Sequence, residues 1–145
     1  MPRRPRAILH NSLVREALRQ AWRDSQPGID GGHEEGGFVI QVSTRKLGVV
    51  RWPQGVQNSI LVPPHPGCAM GENSIVASFH THPNTGTDFL QEPSETDKRA
   101  VRDDPDLQGG AYVGEFVIAR ETIYFITPDG QVREVSDPRV LFARP

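Results

Sequence analysis

The run Ser74-Ile75-Val76-Ala77-Ser78-Phe79-His80-Thr81-His82-Pro83 carries more structural information than any other in the chain. Ser74 to Phe79 is compact, apolar and β-branched, the composition of a buried strand that delivers the chain to His80. Residues two apart on a strand face the same side, so the imidazoles of His80 and His82 can point at one metal ion without backbone distortion. Pro83 has no N–H for a ladder and helps to end the strand there. The same pair also fits two surface histidines at an ordinary strand end.

Upstream of this strand, Asn11 is a plausible N-cap. Leu13, Val14, Ala17, Leu18, Ala21 and Trp22 then recur at the spacing of an amphipathic helix running to about Asp24. Gln-Pro-Gly and Asp-Gly-Gly between Ser25 and Gly32 release the chain into a loop. Phe38 to Val42 and Leu47 to Trp52 are β-rich runs around the polar residues 43–46, which predicts a hairpin. Ser59 to Val62 reads as a further short strand, and Pro63 to Asn73 as a loop.

Downstream, Asn84 to Pro93 is turn-rich, and Ser94 to about Asp103 predicts a short helix. Strands follow at Ala111–Arg120 and Thr122–Thr127, then a Pro128-Asp129-Gly130 turn and a last strand at Gln131–Val135. No internal repeat is visible. Strands between and around two helices, without regular β-α-β alternation, predict an α+β domain with a mixed sheet flanked by helices.

The length of 145 residues suits one domain, here residues 10–145, behind a flexible basic N-terminus at 1–9. The 14 glycines and 13 prolines predict many turns and long surface loops. A formal net charge of −2 provides no broad positive field for phosphate backbones, so nucleic acid is not an expected partner. The single Cys68 cannot close a disulfide within the chain, which points to a reducing compartment. No run approaches the ~18 apolar residues of a membrane span, and Ala7-Ile8-Leu9 after the first arginines is too short for a Sec signal core. A cytoplasmic protein is expected, without excluding secretion by another route, and the oligomeric state is not legible.

Three segments carry candidate chemistry. His80 and His82 form the first. The second, Ser94-Glu95-Thr96-Asp97, has the form of a capping box, with Ser94 as N-cap and Asp97 reaching back. It equally allows Asp97 to place its carboxylate on a metal while Ser94 donates to a water or oxyanion. Asp88, on a glycine-flanked loop, is a rival third ligand. The third segment, His33-Glu34-Glu35-Gly36-Gly37, is either a solvated turn or a carboxylate at a strand entrance. In the latter case, if its strand pairs beside that of His80, the carboxylate takes a proton from a metal-activated water and passes it to a leaving amine. His65 and Cys68 share one loop and read as loop residues. His10 and His33 lack partners at metal spacing, and Trp22 and Trp52 read as core aromatics.

A helix, then Glu-x-Gly-Gly opening a strand, His-x-His-Pro ending a strand and Ser-x-x-Asp opening a helix together resemble the JAMM motif of the JAB/MPN metalloprotease family, over about Asn11 to Asp103. The resemblance implies a cytidine-deaminase-like mixed sheet and one Zn²⁺ per chain. It implies His80, His82 and Asp97 as metal ligands, Glu34 rather than Glu35 as general acid/base, and Ser94 as the oxyanion or water-positioning residue. The implied activity is hydrolysis of a peptide or isopeptide bond in a protein or peptide substrate, including removal of ubiquitin-like tails. A non-catalytic MPN-like interaction module and a JAB-like toxin or effector domain are the alternatives. The segment 84–93 is longer than the family's usual spacing, and Gln41 replaces its usual strand-closing glycine, features similar to bacterial JAB-like domains from toxin and secretion contexts. Within the long segment, Phe89 and Leu90 are expected either to form a substrate rim or to tuck the loop onto the core.

Overall fold

The computed structural model describes residues 4–143. Its centre is β4 (Asn73–Thr81), in which Ile75, Val76, Ala77 and Phe79 are all buried as expected of the apolar run. On one side β4 pairs antiparallel with β1 (Gly36–Ser43), which turns through the predicted hairpin into β2 (Lys46–Arg51). On the other it pairs parallel with β5 (Glu115–Ile118), followed by antiparallel β6 (Ile123–Ile126) and β7 (Val132–Ser136). The short β3 (Ala69–Met70) pairs with β4, making seven strands in a mixed sheet of order β2-β1-β4-β5-β6-β7 with β3 off that path. A parallel pair requires a crossover. Residues 82–114 supply it and carry α3 (Glu95–Arg102) over one face.

The strand period of two divides the side chains between two cores. Val39, Ala77, Phe79, Phe116, Ile118 and Phe125 face one side, where α1 (Pro5–Leu9), α2 (Ser12–Asp24) and α4 (Pro138–Leu141) bury Ile8, Leu9, Val14, Leu18, Ala21 and Leu141 against them. Phe38, Ile75, Val117 and Ile126 face the other, covered by Val101 of α3 together with Trp52, Cys68, Leu107 and Tyr112. The start of α2 follows the predicted cap, with the Asn11 side chain accepting the Val14 N–H at 3.1 Å.

Five expectations change, the first being that the loop expected at Pro63–Asn73 contains β3, which pairs with β4. From Pro5 to Leu9 the basic N-terminus is helical, because Pro5 suits a first helical position and Ile8 and Leu9 are core residues; residues 1–3 lie outside the described residues. Ser59–Val62 is not a strand. Pro63 and Pro64 offer no N–H to a ladder, Leu61 is 86% exposed, and only a bridge between Val56 and Ser59 forms. The strand expected at Ala111–Arg120 shortens to Glu115–Ile118, because Gly114 turns the chain at φ 138° where a Cβ would meet the Ile126 carbonyl at 2.3 Å. The terminal helix α4 was not expected. Among the described residues no helix is long and apolar enough to cross a membrane.

Candidate metal centre

Alternation along β4 places Ser78 and His80 on the α3 side, and His82, just beyond the strand, keeps that side. The Ser94 cap fixes the start of α3 and sets Asp97 at its third position, over the two imidazoles. The Nε2 atoms of His80 and His82 lie 3.2 Å apart, and the Asp97 oxygens stand 3.3 Å from His80 Nε2 and 3.2 Å from His82 Nε2. Ligands held tetrahedrally about 2.0–2.1 Å from zinc are themselves roughly 3.3 Å apart. The two imidazole nitrogens have that spacing, a different Asp97 oxygen stands at a similar distance from each, and with one ligand atom per residue the three lie within 4.8 Å of one another, so the group can hold a metal ion.

The hydrogen bonds behind the ligands set the direction of their lone pairs. His80 Nδ1 faces the Glu115 carboxylate at 2.9 Å, and His82 Nδ1 faces the Gln91 carbonyl at 3.1 Å. Both partners only accept, so each Nδ1 is an N–H donor, and in the neutral rings both Nε2 atoms present lone pairs to the same point. Lone pairs converging beside a carboxylate repel one another until a cation lies among them. Burial alone would disfavour a charged His80, yet the carboxylates of Glu115 and Asp97 push its pKa well above the ordinary histidine value. Burial likewise opposes ionisation of Asp97, but hydrogen bonds and charge from His80 and His82 hold its carboxyl far below the usual range. The charges that retain a proton here are those that attract a metal, and the two compete.

Glu34 and Glu35 part company at the entrance to β1. Glu34 shares parity with Gly36 and Phe38, on the metal side, and feels the charges of His80, His82 and Asp97. Burial raises its carboxyl pKa, offset only in part by the two histidines. Glu35 turns away, accepting from Arg51 at 2.6 Å and lying 2.7 Å from His33 Nε2. The two glycines that follow have packing reasons. A Cβ on Gly36 would meet the Trp52 ring at 2.4 Å, and one on Gly37 would meet Phe79 at 2.8 Å.

Ser94 and Asp97 realise the capping box: Ser94 N–H donates to Asp97 Oδ2 at 2.8 Å, and Asp97 N–H donates to Ser94 Oγ at 3.1 Å. Asp97 thus belongs both to the cap and to the group that could hold a metal. Ser94 Oγ accepts in the cap, which leaves its O–H to donate, and Ser94 lines cavities of about 250 Å³ on both sides of the centre. Phe89 and Leu90 stand on the wall of the cavity beside Glu34 and His82, and neither belongs to a core cluster. Asp88 lies on that wall too, but the group that could hold a metal comprises His80, His82 and Asp97. His65 pairs with Asp104 at 2.7 Å, and burial raises the Cys68 thiol pKa, so that loop keeps its structural reading. His10 is exposed and Trp52 is buried edge-on against Phe38.

Two supporting residues escaped the sequence reading. Glu115 completes a buried chain in which its Oε1 accepts from Ser78 Oγ at 2.8 Å and Ser78 Oγ bonds Tyr112 at 2.7 Å. Asn84, 2% exposed, accepts from Gly32 N–H at 2.7 Å and donates to the carbonyls of Gly32 and Gln57, joining the segment after His82 to the one before Glu34. An acidic residue opening a strand in an apolar stretch was the available signal for Glu115. Asn84 after His-x-His-Pro had none.

No family model, curated protein or solved structure matches the chain, so its functional reading stands on the geometry of this centre.

Proposed function

We propose that the chain is a zinc-dependent amide hydrolase, a metallopeptidase or isopeptidase of the JAMM type, and that its sheet is the JAB/MPN variant of the cytidine-deaminase-like architecture. The observation that carries this reading is the convergence of two imidazole lone pairs and one carboxylate on a point overlooked by a second, buried carboxylate that is not among the ligands. Three protein ligands suit a catalytic zinc, which keeps a position for water or substrate, whereas structural zinc is held by four. Zinc bound by His80, His82 and Asp97 supplies a Lewis acid that polarises a carbonyl and acidifies water.

The remaining work falls to the chain's own side chains. Glu34, its pKa raised by burial, takes up the proton of the attacking water and delivers it to the departing amine. Ser94, held at the start of α3, donates its O–H toward the oxygen on which negative charge develops. Glu115 and the Gln91 carbonyl hold His80 and His82 with Nε2 forward. Phe89 and Leu90 offer apolar surface to a protein or peptide substrate, of which a ubiquitin-like conjugate is one form. A module that only binds partners needs neither converging ligand atoms nor a proton carrier beside them, and this favours the enzyme.

The test is metal content and turnover on the same preparation. Elemental analysis should find about one zinc per chain, His82→Ala should lose it, and chelation followed by zinc should abolish and restore cleavage. A protein that takes up no zinc on reconstitution has another function. Glu34→Gln, loaded with zinc, then serves as the trap for capturing the substrate.

A further inference from the structure

We propose that the cavity on the His80 side of the centre is a subsite for one bulky apolar side chain of the substrate, borne by the residue next to the amide bond that is cleaved. The proposal rests on the hydrolytic reading above and narrows its substrate class. The cavity measures about 250 Å³, below the roughly 300–1,000 Å³ of pockets that enclose a whole small molecule. It is a space for a side chain. It shares Glu34, Ser94 and Asp97 with the cavity on the opposite side of the centre. An amide between Glu34 and the ligands therefore has its neighbouring side chain at the mouth.

The lining combines an apolar surface with polar groups, among them Asn58, Ser59, Thr96 and the buried Trp52 Nε1, which has no hydrogen-bond partner among the described residues. Phe38, Trp52 and Leu107 form the buried part, and Ile60, Val62 and Ala100 the accessible rim. Two carboxylates beyond the centre also reach it, but their oxygens are occupied. Asp104 accepts the Asp106 N–H at 2.8 Å and lies 2.7 Å from His65 Nε2, and Glu115 holds Ser78 and His80. A basic side chain would have to share these two carboxylates with partners they already hold. No lysine or arginine lines the cavity, so an acidic side chain gains no ion pair and meets the carboxylates of Glu34 and Asp97. An aliphatic or aromatic side chain leaves water for an apolar surface, whereas glycine leaves the space unfilled.

Calorimetry on the zinc-loaded protein with three hydroxamates tests this without a known substrate. Acetohydroxamate offers only the chelating group, and 4-methylpentanohydroxamate and 3-phenylpropanohydroxamate add an apolar arm. The two larger compounds should bind about tenfold to a hundredfold more tightly than acetohydroxamate. Ala100→Phe and Val62→Trp, accessible rim positions from which the cavity is filled from two sides, should each remove that gain and leave acetohydroxamate binding unchanged. Equal affinity for all three, or a gain that survives both fillings, overturns the subsite while the zinc site stands. If none binds, or the protein retains no zinc, the hydrolytic reading falls and the subsite with it.

Discussion

The two faces of the sheet treat neighbouring carboxylates in opposite ways. On the α2 side, Glu35 is fixed between Arg51 and His33, and Arg51 in turn reaches Asp24 of the helix at 3.2 Å. That face is closed by α1, α2 and α4, with Leu18, Phe79 and Phe116 fully buried. On the α3 side, Glu34 looks across a cavity at two imidazoles, and burial raises its pKa. One residue of separation thus distinguishes a carboxylate held in an ion pair from one that faces the two imidazoles. Successive side chains of an extended chain point to opposite faces, so two adjacent acids at the entrance to a strand do not share one.

The sharpest way to break this contrast is to neutralise each acid in turn. Glu34→Gln should keep zinc and lose turnover by ~10²–10⁴-fold, the usual worth of a general acid–base. Glu35→Gln should leave turnover within a few-fold and instead lower stability by about 1–2 kcal/mol, since it removes one side of a half-buried charged hydrogen bond. Zinc-loaded kinetics beside equilibrium unfolding would read both, and an inactive Glu35→Gln with an active Glu34→Gln would reverse the assignment. The closed face should respond in stability alone. Leu18→Ala, at a fully buried position, should cost ~2–5 kcal/mol and still bind one zinc below its melting transition.

Within the open face, Ser94→Ala separates cap from chemistry. Loss of the cap should lower stability by ~1 kcal/mol, and loss of the donated O–H should slow turnover by ~10²–10³-fold. Lowered stability with an unchanged single-turnover rate would leave Ser94 only its structural role. The smallest expected effect lies behind the ligands. Glu115→Gln, which keeps a hydrogen-bonding shape but loses the charge facing His80 Nδ1, should weaken zinc binding by ~10–100-fold in a competition with a chromophoric chelator. Wild-type affinity in that variant would mean that the His80 orientation comes from packing alone.

Much of this site was legible because its parts are local. The spacing of His80 and His82 at the end of one strand, the Ser94–Asp97 cap and the Asn11 cap each span only a few residues of sequence, where backbone period dictates geometry. The misreadings also have local explanations that tertiary context overrode. Ile60 to Val62 has strand composition, but prolines at 63 and 64 leave it outside the sheet. Ile8 and Leu9 sit among charges and prolines, and become core because α2 and the sheet offer them an apolar surface.

The sequence by itself determined the buried strand, the hairpin, the amphipathic helix, and two histidines able to face one point. The residues alone left Asp97 open against Asp88 and Glu34 against Glu35, with the family resemblance implying the first of each; the tertiary structure groups Asp97 with the two imidazoles, turns Glu35 away toward Arg51, and adds Glu115 and Asn84. The physical reason is separation along the chain. His80 and Glu115 are 35 residues apart and Asn84 and Gly32 are 52, joined only when a parallel crossover and two adjacent loops fold around the central strands β1, β4 and β5. Periodicity and capping act over three or four residues and carry no information at that range.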